Sequence, residues 1–349
     1  MGMLGKQARA RLGAWWDGED ADRPAMLVIA PGERGGPAPD AAPDDYWTSP
    51  EVLVAETQAR QRRLRFYGEA APLMYVDYGA SAVALQMGGR AGWTSKETIW
   101  CDPCMDDVGE LARCRRHGRW ADIQPRAIEL GMDAAAAAGM LFAPYCQGAA
   151  ADTAAALMGA ENLMYAMVDE PDAVHAGFER IKRDWIAEFQ RFSAACAMRD
   201  LSLTGWHGIW APGPTSAIQE DFSYMIGRAM FDEFCLKHIR DIVDAVPYSF
   251  YHLDGVGALK HLPSLCAIES LRVIQWQPGA GQGGAADWLH VARAILDSGK
   301  RCQLYASADE VDRVAAALGA KGLLLIVYAS ADEAARLCDR WRLEPGETR

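Results

Sequence analysis

At 349 residues, 50% of them hydrophobic and 23% charged, the chain can bury a large core and is too apolar for intrinsic disorder. Its formal charge of −12 gives no electrostatic basis for general binding to nucleic acid or anionic membrane. No apolar run reaches the ~18–20 residues that span a bilayer, the N-terminus lacks an apolar signal core, and nine cysteines lie scattered, so a cytoplasmic protein without a disulfide framework is expected.

Residues 25–30 read as a short strand, and Pro31 with the Gly/Pro-rich stretch 32–43 as a mobile loop able to fold over a site. Thr48-Ser49-Pro50-Glu51 opens a helix expected to run to about Tyr67, with Arg60, Arg62, Arg63 and Arg65 as its solvated face. The chain then alternates. Strand-like runs at 73–78, 140–146, 201–207, 248–253, 273–276, 302–306 and 323–328 are separated by helical segments at 150–158, 170–197, 222–243, 285–298 and 310–317. Such alternation describes a parallel α/β architecture, and seven strands with one uncertain partner favour a distorted (β/α)8 TIM-type barrel. Residues 1–70 form an N-terminal strand-loop-helix extension and 71–349 the barrel, in a single domain.

Function in a barrel gathers at the C-terminal strand ends. Those ends carry Asp77 and Tyr78; Tyr145, Cys146 and Gln147; Trp206, His207 and Trp210; His252 and Asp254; Gln275, Trp276 and Gln277; Tyr305; and Tyr328. Tyr251-His252-Leu253-Asp254-Gly255 is the sharpest candidate. Strand alternation places His252 and Asp254 on one face, ~7 Å apart at their Cα atoms, where they can share a metal ion or a proton. A hydrogen-bonded pair that merely holds a loop is the alternative. Gln219-Glu220-Asp221-Phe222-Ser223 leads into the helix near Tyr224, so its acids read equally as helix caps or as site residues. Among 12 tryptophans, Trp206, Trp210 and Trp276 are candidate pocket walls, together with Tyr145, Tyr305 or Tyr328.

Cys101, Cys104, Cys114 and His117 spell C-x2-C-x9-C-x2-H, the form of a structural zinc spacing, with scattered thiols as the alternative. Gly279-Ala280-Gly281-Gln282-Gly283-Gly284 reads as a flexible loop able to close over ligand. No G-x-S-x-G, G-K-[ST] or H-E-x-x-H motif occurs.

Five segments together resemble the uroporphyrinogen decarboxylase superfamily, which includes the corrinoid-dependent methyltransferases: Gly159-Ala160-Glu161-Asn162-Leu163-Met164-Tyr165, Trp210-Ala211-Pro212-Gly213, residues 219–223, residues 251–255, and Ile274-Gln275-Trp276-Gln277-Pro278-Gly279-Ala280-Gly281. The resemblance covers nearly the whole chain and implies a distorted (β/α)8 barrel, usually dimeric. By resemblance, Asp77 occupies the place of the aspartate that holds pyrrole nitrogens in the decarboxylase. The Arg-rich N-terminal motif of that enzyme is missing, since residues 24–45 offer only Arg34. His252-Leu253-Asp254 resembles the His-x-Cys zinc pair of the methyltransferases with Asp in place of Cys, and Tyr328 stands where they carry a distant Cys.

The expected function is a methyltransferase-like enzyme acting on a small substrate in an aromatic-lined pocket. His252 and Asp254, completed by Glu220 or Asp221, would bind a divalent metal such as zinc or move a proton; Asp77 would anchor the substrate; and Tyr78, Tyr145, Gln147, Trp206, His207, Trp210, Asp221, Gln275, Trp276, Tyr305 and Tyr328 would contact it. Methyl transfer implies a corrinoid methyl donor on a partner carrier protein. A metal-independent decarboxylase-like lyase and a non-catalytic small-molecule binding protein are the alternatives.

Overall fold

The computed structural model describes residues 4–32 and 40–346. Its strands are β1 (Ala25–Pro31), β2 (Leu64–Gly68), β3 (Leu73–Tyr75), β4 (Arg90–Trp93), β5 (Ile99–Asp102), β6 (Leu141–Ala143), β7 (Thr215–Gln219), β8 (Tyr248–Asp254), β9 (Val273–Gln277), β10 (Arg301–Tyr305) and β11 (Leu323–Tyr328). One sheet has the order β2-β1-β11-β10-β9-β8-β7 and is parallel except for its antiparallel edge, β2. β3 and β6 form a parallel pair, and β4 and β5 an antiparallel one. Leu203 links the first two groups: it bridges Phe142 in parallel, and its carbonyl accepts the N–H of Thr215 at 3.2 Å. Hydrogen bonding thus runs from β3 through β6 and Leu203 to β7 and on to β1. No strand pair joins β1 to β3 among the described residues.

Period-2 alternation sorts the apolar side chains into two cores. Ala25 and Leu27 of β1, Leu141 of β6, Ala217 of β7, Phe250 of β8, Val273 of β9, and Leu324 and Ile326 of β11 meet in one inner cluster. Their neighbours Met26, Val28, Phe142, Ile218, Tyr251, Ile274 and Leu325 face the surrounding helices. The convergence of inner faces from β1, β6 and the strands between them is compatible with a TIM-type fold. The helix Lys6–Asp17 plugs the N-terminal end of the strands. There Trp15 donates its indole N–H to the Gly322 carbonyl and Trp16 to the Trp210 carbonyl, each at 2.9 Å. The plug leaves the C-terminal strand ends as the face for a site.

The structure departs from the expected elements in three places that matter. The helix expected to reach Tyr67 stops at Arg62, and Leu64–Gly68 becomes the edge strand because pairing with β1 satisfies its backbone while Phe66 joins the inner core. Residues 201–207 contribute only the Leu203 bridge, and the full strand is Thr215–Gln219, whose five residues are all buried. β1 lies inside the main sheet although its residues belong to the expected N-terminal extension. Of the expected lid-like loop, residues 33–39, Arg34 among them, lie outside the described residues. No helix among the described residues is long and apolar enough to cross a membrane.

Candidate functional site

Four adjacent strands place a polar row on the inner face near their C-terminal ends. Gln219 of β7 pairs in register with His252 of β8, His252 with Gln275 of β9, and Gln275 with Gln303 of β10. Gln275 Oε1 is hydrogen-bonded to His252 Nδ1. An amide oxygen only accepts, so the imidazole proton sits on Nδ1 and the Nε2 lone pair is left free for a ligand. The ring is held from the side by Trp206, edge-on at 5.0 Å and 87°. Trp206 donates its indole N–H to Gln219 Oε1 at 3.2 Å, and Gln219 Nε2 donates to Asp221 Oδ2 at 2.9 Å.

Asp254 follows two residues after His252 on the same strand face, as alternation requires. Asp221 reaches the same point from the turn after β7. One ligand atom from each of Asp221, His252 and Asp254 can be chosen so that all three lie within 4.8 Å of one another. Asp221 keeps its other oxygen, Oδ1, buried without a hydrogen-bond partner. Burial pushes its carboxyl above the usual range, His252 pulls it down, and Asp254 pushes it up again. The chain leaves β8 through Gly255 at φ +82°, and Tyr224 packs over this turn: a Cβ on Gly255 or Gly257 would sit 2.9 or 2.7 Å from its ring. A cavity of about 340 Å³ opens alongside, lined by Asp221, Tyr224, Asp254, Pro278 and Gly279.

Asp77, just beyond β3, accepts the N–H of Gly79 at 2.8 Å. Burial raises its pKa against the opposing hydrogen bonds from Gly79 and Tyr75. The Cys146 thiol contacts Gln219 Oε1 at 3.2 Å, and burial pushes its pKa up, with Asp221, Asp152 and Asp77 adding to the shift. Tyr305 and Tyr328 stack at 6.2 Å and 23° on the inner faces of β10 and β11.

Other candidates are placed elsewhere. Glu220 makes no side-chain cap bond to the helical turn that follows it; its carboxylate instead accepts the N–H of Asp152 at 2.6 Å in the first turn of the helix Ala150–Met158, and Asp221 takes the third position beside His252 and Asp254. Tyr78, three residues beyond the end of β3, and Trp276, on β9, both point outward. Tyr78 packs against Trp47 and Trp120, and Trp276 against Trp288. Tyr145 and Gln147 donate to Glu188 on the helix Pro171–Met198, at 2.6 and 3.0 Å. His207 is buried, stacked on Phe250 at 4.2 Å, and burial, with His252 nearby, pushes its pKa down to about 3. Trp210 sits at the plugged end, because residues 205–213 turn back toward the N-terminal side: its carbonyl meets Trp16 and its ring meets Arg9. Cys101, Cys104, Cys114 and His117 do not gather, since Asp221, His252 and Asp254 are the one metal-competent group among the described residues.

Gln219, Tyr224 and Gln303 were not singled out as contacts from the sequence. Gln219 belongs to the unrecognised strand β7, and glutamine carries no motif signal. If Gln275 fixes the imidazole as described, Gln275→Leu is expected to weaken zinc binding by roughly 10–100-fold in a competition titration while leaving the fold intact. Unchanged zinc affinity in that variant would show that Gln275 has no orienting role.

No family model and no curated protein matches the chain. Solved structures do match it in fold. One is a methyltransferase from Methanosarcina mazei. It aligns with a TM-score of 0.61 at 14% identity, covering 96% of this chain and 99% of that one. The likeness is one of fold over nearly the whole of both chains.

Proposed function

We propose that the protein is a methyltransferase-like enzyme in which Asp221, His252 and Asp254 hold a divalent cation, zinc in the first instance, at the mouth of the strand ends. The observation that carries this reading is the convergence of the three donor atoms within 4.8 Å around an imidazole whose Nε2 is freed by Gln275. The orphaned Oδ1 of Asp221 fits the same reading, since a buried carboxylate oxygen calls for a partner. Three protein ligands leave coordination positions open, the pattern of catalytic rather than structural sites. A cation bound there would act as a Lewis acid that activates the methyl-accepting group. Two carboxylates in place of thiolates suit a harder ion and a harder acceptor than a thiol-activating centre.

Around that centre the chain's own groups have separate tasks. Gln275 fixes the tautomer of His252, Gln219 orients Asp221, and Trp206 braces the imidazole. Asp77, whose burial favours the protonated form, supplies a hydrogen bond or a proton. Tyr305 and Tyr328 form an aromatic wall for a small substrate. The methyl donor in this reading is a corrinoid on a partner carrier protein, as the resemblance of residues 251–255 to the corrinoid-dependent methyltransferases implies.

The test is zinc titration of chelator-stripped protein together with methyl transfer from free methylcobalamin to a supplied small oxygen or nitrogen nucleophile, which takes the methyl group and leaves cob(I)alamin, followed by visible absorbance. The expected result is one zinc per chain, affinity lowered by more than about 100-fold in His252→Ala, and methyl transfer only in the zinc-loaded protein. A second reading, a metal-independent lyase, rests on the raised pKa of Asp77. It is favoured instead if stripped protein turns over a small acid and Asp77→Asn abolishes that turnover.

A further inference from the structure

Gln303 is fully buried, and both its amide nitrogen and its amide oxygen lack partners. Its register neighbour Gln275 is also fully buried; its oxygen is occupied by His252, and its nitrogen faces the Tyr305 hydroxyl without a well-formed hydrogen bond. Both side chains point inward, because the intervening residues Trp276 and Leu304 belong to the outer core. Buried amide groups are almost always hydrogen-bonded, so a fully buried glutamine with both its donor and its acceptor open, beside a second whose nitrogen is only weakly engaged by Tyr305, is a strong departure from the rule. They lie in the same row as His252, one and two strands away from the imidazole.

We propose that Gln303 and Gln275 form the recognition floor for the substrate, and that the substrate presents a planar amide edge, with C=O and N–H side by side, as in a lactam ring or a carboxamide. The inference rests on the reading that the substrate reacts beside His252. The primary amide of Gln303 offers one donor and one acceptor in a plane, which pairs reciprocally with such an edge. The N–H of Gln275 then reaches the second lone pair of the ligand carbonyl. A carboxylate would set an acceptor against Gln303 Oε1, and an ammonium group would leave both amide N–H groups unmet. Tyr305, two residues beyond Gln303 on the same face and stacked on the exposed Tyr328, is the ring that a ligand displaces on entry and that covers a flat ligand afterwards.

The experiment is ligand-observed NMR on the full chain, with and without zinc, using 2-pyridone as the amide-edge probe, benzoate as an acceptor-only probe and benzylamine as a cationic one. Tighter binding of 2-pyridone by at least about tenfold is expected, lost in both Gln303→Leu and Gln303→Met with unfolding temperatures at or above that of the unaltered protein. The proposal is overturned if benzoate or benzylamine binds as well as 2-pyridone, if none of the three binds, or if the preference survives in a folded Gln303 variant. Zinc titration of the same samples reports on the metal centre separately. Loss of zinc binding with the 2-pyridone preference retained removes the catalytic reading and not the floor.

Discussion

Replacing Glu188 by alanine is expected to lower the free energy of unfolding by about 3–5 kcal/mol. Glu188 is 2% exposed on the long helix Pro171–Met198. Its carboxylate accepts both terminal nitrogens of Arg116, Arg191 Nη2 at 3.0 Å, Tyr145 Oη at 2.6 Å and Gln147 Nε2 at 3.0 Å. Truncation leaves the largely buried Arg116 guanidinium without its counter-charge and strands two further donors in low dielectric. Glu188→Gln keeps the shape and part of the hydrogen bonding, so its loss should be smaller. Urea denaturation of the three proteins measures both effects. A Glu188→Ala variant within about 1 kcal/mol of the unaltered protein, the size of an exposed ion pair, would mean that the cluster is effectively solvated.

The pH dependence of stability should change in Glu220→Gln. Glu220 is buried, and burial pushes its carboxyl up to about 8, against the opposing hydrogen bonds from Asp152 and Ala151 and with Asp221 raising it further. The neighbouring Asp152, which accepts the Phe222 N–H at 2.8 Å, is raised as well, again first by burial and then by Glu220. The folded state therefore holds a proton that the unfolded chain has already released. The resulting stabilisation is full below the unfolded value of 4.5 and is lost as pH rises through about 8. Glutamine mimics the protonated acid and does not titrate. In the presence of chelator, the unaltered protein should lose on the order of 2–4 kcal/mol more than Glu220→Gln between those two pH values. Parallel stability curves would place the proton elsewhere.

Much of the site was legible because alternation is a local rule. His252 and Asp254 had to share a face, and their position at a strand end made them functional candidates before any coordinates. The parity between different strands is not local. Nothing in 273–277 says that Gln275 faces inward and Trp276 outward, so both read as substrate contacts from the sequence, whereas only the amide reaches the imidazole and the indole packs on Trp288. Tyr78, three residues beyond the end of β3, likewise packs outward, against Trp47 and Trp120. Trp210 failed because a segment that begins at the mouth folds back to the plugged end, a path set by packing against Trp16 and Phe250 rather than by its own residues. Thr215-Ser216-Ala217-Ile218-Gln219 is only weakly apolar and follows Pro212-Gly213-Pro214, which hid a central strand and with it the true setting of Asp221. Glu220 does not cap the helical turn after it, as its spacing suggested; it accepts the N–H of Asp152, 68 positions earlier, a contact that only the tertiary fold creates.

The account stands on a cation held by three side chains that are 31 and 2 positions apart in sequence order, from Asp221 to His252 and from His252 to Asp254. Anomalous diffraction at the zinc edge, from crystals of the full chain equilibrated with zinc, tests it most directly. A single strong peak is expected, bonded to Asp221, His252 Nε2 and Asp254 at about 2.0–2.2 Å. A peak at the Cys101 and Cys104 segment instead, or no ordered zinc beside His252 at saturating concentration, would contradict it.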